Sequence, residues 1–551
     1  MDYRNPAECL AELPKLHPLD VDATHATLSA MVAGLLDAVP AANQHLEVLE
    51  AAREQIALVQ AEYARRYAAQ PLPPDSEENN VLQSVVALWL GMARSYAQIT
   101  RQDAPHGTLA EQLPLLIQRR LQYTGLAILE YLRAHRAVPR GYWADLHECF
   151  VIAEQSGKLR VRVSDPLNDV WHAQSALEAY VGVLLVDLGN PFARAEREFN
   201  LICKWAQRFA PYCDISADAD PARHQTYALD LTLDHALRPI GVLTASASLR
   251  RFDGSRLSGQ IQAVFGQLKQ GVSPASLGLG SDCPAATAAR LLVSLYRPWG
   301  LASAGRRFPR RGARGTASVC GDWLAIGYHV AGQVFEQPKA LDGIKSLRSD
   351  ISLMTFGERA PEVEHPRTAA ERERRAEELG FACVHWQVAD QSVTGFRLTQ
   401  LQEHERLEHH QLIGIRPPDS DNFLLARISW LMYRNDGVME AGVQVLPGLP
   451  EVLAARILTL HVGNRTPYSQ AFLVPGTEAL KTPDTLVLPH GWFQPNRVIE
   501  VFRNERLAQY RLLKALLQGP NFDQVSFEIS APNHGPNGFS QQPGGRSESV
   551  R

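Results

Sequence analysis

The chain has little net charge of either sign. Its 55 basic and 59 acidic residues nearly cancel, leaving −4 over 551 residues. No global field therefore draws it to a nucleic acid polymer or an anionic lipid surface, and any anion site has to be local. Long apolar runs are also scarce: the longest, Ala179 to Val186, falls far short of the ~20 residues that span a bilayer. Paired cysteines are missing. The seven present, Cys9, Cys149, Cys203, Cys213, Cys283, Cys320 and Cys383, are scattered without a C-x-x-C spacing, the pattern of single buried thiols in a reducing compartment. Met1-Asp2-Tyr3-Arg4 carries no apolar signal core, so a cytoplasmic protein without a membrane span is expected. Catalytic signatures are absent as well: there is no P-loop, no G-x-S-x-G and no H-E-x-x-H. His404, His409 and His410 stand among Glu403, Glu405 and Glu408 at a spacing that makes no metal pair, and read as an exposed charged turn. The sequence offers no catalytic residue and no metal ligand set, and the protein is expected not to be an enzyme.

What is there is length and pattern. A chain of 551 residues needs roughly three or four domains. Between about residues 24 and 211 apolar residues recur at spacings of three and four, the period of a helix face. Leu49, Ala52, Ile56, Val59 and Tyr63 form one such face, and Leu82, Val85, Trp89, Met92, Tyr96 and Ile99 another. Pro71-Leu72-Pro73-Pro74 separates them, because proline cannot donate the backbone hydrogen bond a helix needs. Trp143, Leu146, Phe150 and Ala153 loosely resemble the first helix of a tetratricopeptide repeat, against the plainer reading of a helical array. Residues 1–220 are expected as a helical domain. Residues 221–300 read as a mixed connecting segment, with a strand from Tyr227 to Leu233.

Two motifs follow. Arg306, Arg307, Arg310, Arg311 and Arg314 place five arginines in nine positions, with Pro309 and Gly312 keeping the run out of a helix. Guanidinium forks match phosphate oxygens and the O6/N7 edge of guanine; the plain alternative is a solvated basic linker. Farther on, Asp390-Gln391-Ser392-Val393-Thr394-Gly395 interrupts a strand with a polar turn, a sequence that also stabilises turns for its own sake. After it, Leu412 to Arg416 reads as a strand, Leu424 to Met432 alternates as a half-buried strand, Asp436-Gly437 is a hairpin turn, and Glu440 to Leu446 is the return strand.

The D-x-S-x-x-G order of Asp390, Ser392 and Gly395, the Arg307-x-x-x-Arg311 pair and the Gly442-Val443-x-Val445 strand resemble the PilZ domains, bacterial receptors for cyclic di-GMP. The resemblance covers about residues 305 to 450 and departs from the family in the roughly 80 residues between the two motifs. It implies a β-barrel on which Arg307 and Arg311, with Arg306 and Arg310 as shifted alternatives, hold phosphates and guanine edges. Asp390 would then accept from guanine, Ser392 would bond near the base or phosphates, and Gly395 would admit the ligand closely. The expected whole is a multidomain α+β protein. In it a helical array precedes a PilZ-like barrel over 301–450, with an insertion at about 335–380 that is an exposed helix or disordered. A second small barrel or sandwich follows over 451–532, and then a disordered tail. In that last domain strands are expected at Ile457–Val462, Phe472–Val474, Thr485–Leu488, Val498–Phe502 and Val525–Ile529, and a helix at Leu507–Leu517. The implied function is a cyclic di-GMP effector that engages a protein partner through its helices. The alternatives are a helical adaptor whose barrel has lost its nucleotide, and an unrecognised enzyme.

Overall fold

The computed structural model describes residues 3–17, 19–68, 70–217, 226–300, 311–338, 368–400, 406–458, 466–477, 482–504 and 506–530. Two compact units divide the chain, the first comprising 1–314, 387–409 and 428–443, the second 315–386, 410–427 and 444–551.

The first unit begins with helices α1 (Pro6–Glu12), α2 (Val21–Asp37), α3 (Ala42–Ala64), α4 (Ser76–Asp103), α5 (Leu113–Arg133) and α6 (Tyr142–Gln155). A two-stranded ribbon, β1 (Val163–Ser164) and β2 (Ala173–Gln174), leads to α7 (Ala176–Leu188) and α8 (Glu196–Phe209). Helix α4 starts where the prolines end, at a capping box in which Asp75 accepts from Glu78 N and Glu78 returns a bond to Asp75 N; two donors of the first turn are thereby satisfied. The two apolar faces read from sequence on α3 and α4 are buried in one cluster, as their spacing requires. Next come β3 (Asp214–Ser216), β4 (Tyr227–Asp230), β5 (Arg238–Pro239) and β6 (Leu249–Asp253), a sheet in the order β3-β6-β4-β5, and helices α9 (Ser255–Lys269) and α10 (Ala285–Gly300). The stretch read as a mixed connecting segment sends Leu229, Phe252, Ile261, Leu291 and Trp299 into the same core as Tyr180, Phe199 and Trp205 of the helices before it.

Strands β7 (Arg311–Gly312), β8 (Thr316–Cys320), β9 (Val384–Ser392), β10 (Gly395–Gln400), β11 (Leu412–Arg416), β12 (Leu424–Tyr433) and β13 (Met439–Val445) form one sheet, ordered β10-β13-β12-β11-β8-β9-β7. An additional pairing of β10 with β9 closes six of them into a barrel, with β7 added outside β9. Helix α11 (Trp323–Ala331) follows β8. Helix α12 (Ala369–Glu378) starts at a Thr368/Glu371 capping box and is largely exposed.

Strands β14 (Glu451–Ile457), β15 (Ser469–Val474), β16 (Thr485–Pro489), β17 (Val498–Arg503), β18 (Arg506–Gln518) and β19 (Phe522–Ser530) make a second closed barrel, β14-β15-β16-β19-β18-β17. Leu453, Ala471, Leu486, Ile499, Val501 and Val525 are among the side chains of its core. Two local expectations are corrected here. The helix read at Leu507–Leu517 is the long strand β18; register shifts between Leu512 and Lys514 and between Ala515 and Leu517 break the two-residue period, and the leucines then fall at helix-like spacings. The strand read at Ile457–Val462 ends at Ile457 and begins at Glu451; Leu458 is already outside it, and residues 459–462, like the tail and most of the insertion, lie outside the described residues.

The helices are pinned by buried charge. Asp165, fully buried, meets Arg53 Nη2 at 2.6 Å and Arg119 Nη1 at 3.3 Å. Glu50 meets both arginines at 3.2 Å, Tyr96 OH donates to Glu50 at 2.6 Å, and Arg53 Nε donates to Tyr123 OH at 3.0 Å. Residues of α3, α4, α5 and the segment after β1 are thus committed to one geometry. Asp165→Ala leaves two buried guanidiniums to share Glu50 alone, and a loss of about 3–5 kcal/mol is expected in urea unfolding; an unchanged midpoint would contradict this role.

His45, also fully buried in α3, has neither ring nitrogen hydrogen-bonded among the described residues. Burial pushes its pKa from 6.5 down to about 4. A folded pKa below the unfolded one gives stability that is present above about pH 6.5 and lost as the pH falls toward 4, by on the order of 3 kcal/mol for this group. In urea unfolding between pH 7.5 and pH 4.5 (~3 pH units spanning the window), His45→Leu is expected to show a shallower acid loss than the parent. Parallel curves would refute the assignment.

Candidate functional site

Along β9, Trp386 and Val388 are buried while His385, Gln387 and Ala389 are exposed, the alternation of a strand with one covered face. The alternation ends at a bulge. Leu398 of β10 pairs with Val388 but Arg397 pairs with Asp390, so Ala389 is the extra residue and the strand's last turn is re-aimed. Ser392 then pairs with Gly395 across a two-residue turn of Val393 and Thr394, and Ser392 Oγ donates to Gly395 O at 3.2 Å. Asp390 and Ser392 are half-buried and Gly395 is buried.

On the other edge of β9, β7 pairs Arg311 with Gln391 and Gly312 with Asp390. Asp390 therefore lies between Gly312 and Arg397, one position from the exposed Arg311. The structure brings together four of the residues singled out from sequence: Arg311, Asp390, Ser392 and Gly395. The other three, Arg306, Arg307 and Arg310, lie outside the described residues.

A charge cluster beside this turn was not read from sequence. Arg397, directly opposite Asp390, bonds Glu440 Oε2 through Nη2 at 2.7 Å; Arg434 Nη1 takes Oε1 at 2.9 Å, and Arg434 Nη2 reaches Asp436 at 2.8 Å. Glu440 is buried, so its carboxylate fixes both guanidiniums beside the strand ends. The available signal was an arginine and a glutamate inside otherwise apolar strands. The hairpin that positions Arg434 turns at Gly437, whose φ of +80° is one that glycine adopts without strain. In β13, a Cβ on Gly442 would lie 1.8 Å from Trp430 Nε1, so no larger residue fits against that indole. Another departure concerns the cysteines, expected as separate thiols: Cys320 and Cys383 meet at His329.

The strands around the turn are tied to the helices. Leu72 and Leu407 exchange backbone hydrogen bonds at 2.9 and 2.8 Å, and Arg406 Nη2 reaches Glu78 at 2.7 Å and Pro71 O at 2.7 Å. At the end of β12, Tyr433 N donates to His135 O at 3.0 Å and Tyr433 O accepts from Ala137 N at 2.9 Å, with the Arg136 guanidinium 5.5 Å from the Tyr433 ring centre. His409 lies 5.0 Å, ring to ring, from His135.

The chain matches two family models: the N-terminal domain of the cyclic-di-GMP receptor FimW over residues 7–221, and the FimW C-terminal beta-barrel domain over residues 453–530. It is also 20% identical over 521 residues to the cyclic-di-GMP receptor FimW of Pseudomonas aeruginosa, an alignment covering 89% of this chain and 85% of that protein. The two FimW models flank the barrel that holds Asp390 without reaching it. Among the described residues no helix is long and apolar enough to cross a membrane.

Removing the shared carboxylate separates its two arginines from their counter-charge. Glu440→Ala is expected to cost about 1.5–3 kcal/mol in thermal or urea unfolding, whereas Asp436→Ala, an exposed partner, should stay within about 1 kcal/mol. Equal effects would show that burial of Glu440 is not what matters.

Proposed function

We propose that the chain is a cyclic di-GMP receptor whose barrel of β8 to β13 is a PilZ-like barrel, working in the cytoplasm without catalysis. The observation that carries this reading is the pairing of β7 with β9, which brings the exposed Arg311 to within one register position of Asp390 although about 80 residues of sequence separate them. Asp390 is the acceptor for the N1 and N2 donors of guanine. Ser392 bonds near the base or a phosphate, and Gly395 closes the turn on which both stand. Arg311 and Arg307, with Arg306 and Arg310 beside them, supply the forks for phosphate oxygens and guanine edges, since charge-assisted and bidentate bonds are the strong ones. The likeness over 89% of the chain to a cyclic-di-GMP receptor supports the same ligand.

Occupancy is coupled to the helices through backbone. A ligand that orders the β9–β10 turn acts on a sheet bonded to the helical region at Tyr433 of β12, with Leu407 bonded to Leu72 as well, and the helical region carries the signal to a protein partner. Calorimetric titration of the full chain with cyclic di-GMP tests the proposal. Binding is expected, with Arg311→Ala and Asp390→Ala each weakening it roughly tenfold or more and leaving the unfolding midpoint in place. In hydrogen exchange, amides near Leu72 and Ala137 should slow when ligand is bound. Absence of binding heat from the parent chain would sink the receptor reading and leave the helical adaptor with a degenerate barrel.

A further inference from the structure

Cys320 closes β8, Cys383 immediately precedes β9, and His329 lies on α11 between them in sequence. Their ligand atoms all lie within 4.8 Å of one another, and Cys383 Sγ is 3.2 Å from His329 Nε2. Two sulfurs and an imidazole nitrogen are a donor set for a soft or borderline divalent cation. In a tetrahedral zinc site, metal–sulfur and metal–nitrogen bonds of about 2.3 and 2.0 Å put neighbouring donors roughly 3.5–3.8 Å apart, a spacing this cluster reaches with small movements.

The surroundings hold each donor in place. The His329 ring stacks on Phe423 with centroids 4.7 Å apart, which fixes its plane. A Cβ on Gly414 would stand 2.9 Å from Cys320 Sγ, so glycine there leaves room for the sulfur. Beside Cys383 a cavity of about 150 Å³ opens, lined also by His329, His385 and Arg416, and His385, two residues beyond Cys383, stands at its wall. His329 Nε2 is also 2.7 Å from Phe381 O; with no cation this nitrogen donates its proton there and to Cys383, and a cation takes that proton's place.

We propose that Cys320, His329 and Cys383 form a binding site for one zinc-like divalent cation, with the fourth coordination position facing the cavity at His385. Such a site clamps α11 to the end of β8 and to the residue that leads into β9. The ligands must shed protons to bind, so retention weakens as the pH falls. The spacings of nine residues from Cys320 to His329 and 54 from His329 to Cys383 conceal it from a motif search. The site is independent of the nucleotide reading.

The test uses the full chain expressed with zinc in the medium and dialysed against metal-free buffer, with its metal content then measured. One zinc per chain is expected. Exchange for cobalt(II) should give tetrahedral d–d bands and sulfur-to-cobalt charge transfer, and Cys383→Ser should lose both while its far-UV circular dichroism stays that of the parent. Cys320 is buried and its serine variant risks misfolding; the parent's own cobalt spectrum, which reports thiolate ligation directly, does not depend on that variant. Three results would overturn the proposal: parent protein without stoichiometric metal and without charge transfer; metal retained unchanged in Cys383→Ser; or a Cys320–Cys383 disulfide as the isolated state of metal-free protein.

Discussion

The geometry of the candidate site depends on β9 being paired along both edges. One edge carries β10 through a tight turn, and the other carries β7 from a part of the chain about 80 residues upstream. Backbone hydrogen bonds set the register on both sides, and register decides which side chains become neighbours. The bulge at Ala389 sits where the two ladders meet the turn. A residue inserted or removed there would hand Asp390's place to Gln391 or Ala389, so chemistry at this turn is fixed by backbone pairing before any side chain contributes.

Charge is placed with similar economy. The near-neutral chain concentrates its arginines where carboxylates hold them: Arg53 and Arg119 on Asp165 and Glu50 among the helices, and Arg397 and Arg434 on Glu440 beside the turn. The first set satisfies itself with tyrosine hydroxyls, and its two arginines and Asp165 are buried. The second leaves guanidiniums partly exposed next to a half-buried Asp390. Buried ion pairs contribute little net stability compared with apolar packing but penalise every alternative arrangement. That accounts for a structural role in the first case and a positioning role in the second.

Much of the architecture was legible because it rests on periodicity. The faces of α3 and α4, the alternation in β12 and the Asp436-Gly437 turn follow from local rules, and the polar turn at Asp390 was found through its flanking strands. What escaped depends on pairing over long separations or on broken periods. The bulges of β18 disguised a strand as a helix. Arg397 and Glu440 are unremarkable until β10 and β13 lie side by side, and Cys320, His329 and Cys383 stand at three separate places in the sequence that only the fold gathers. The assignment of residues 226–300 to the helical core likewise could not be read from their own pattern, since burial there is decided by Tyr180, Phe199 and Trp205.

Strand β7 is only two residues long. Each backbone bond in so short a ladder contributes about 0.5–1.5 kcal/mol net, close to the entropic cost of about 1–2 kcal/mol for fixing one residue's backbone. A clasp with such a narrow margin opens and closes at little energetic expense. The fraction of molecules in which Arg311 is docked then scales every measured affinity at this turn. A stiffer backbone at Gly312, which carries no side chain of its own to this turn, would shift that fraction and so change the strength of whatever binds there, even with Arg311 and Asp390 both retained.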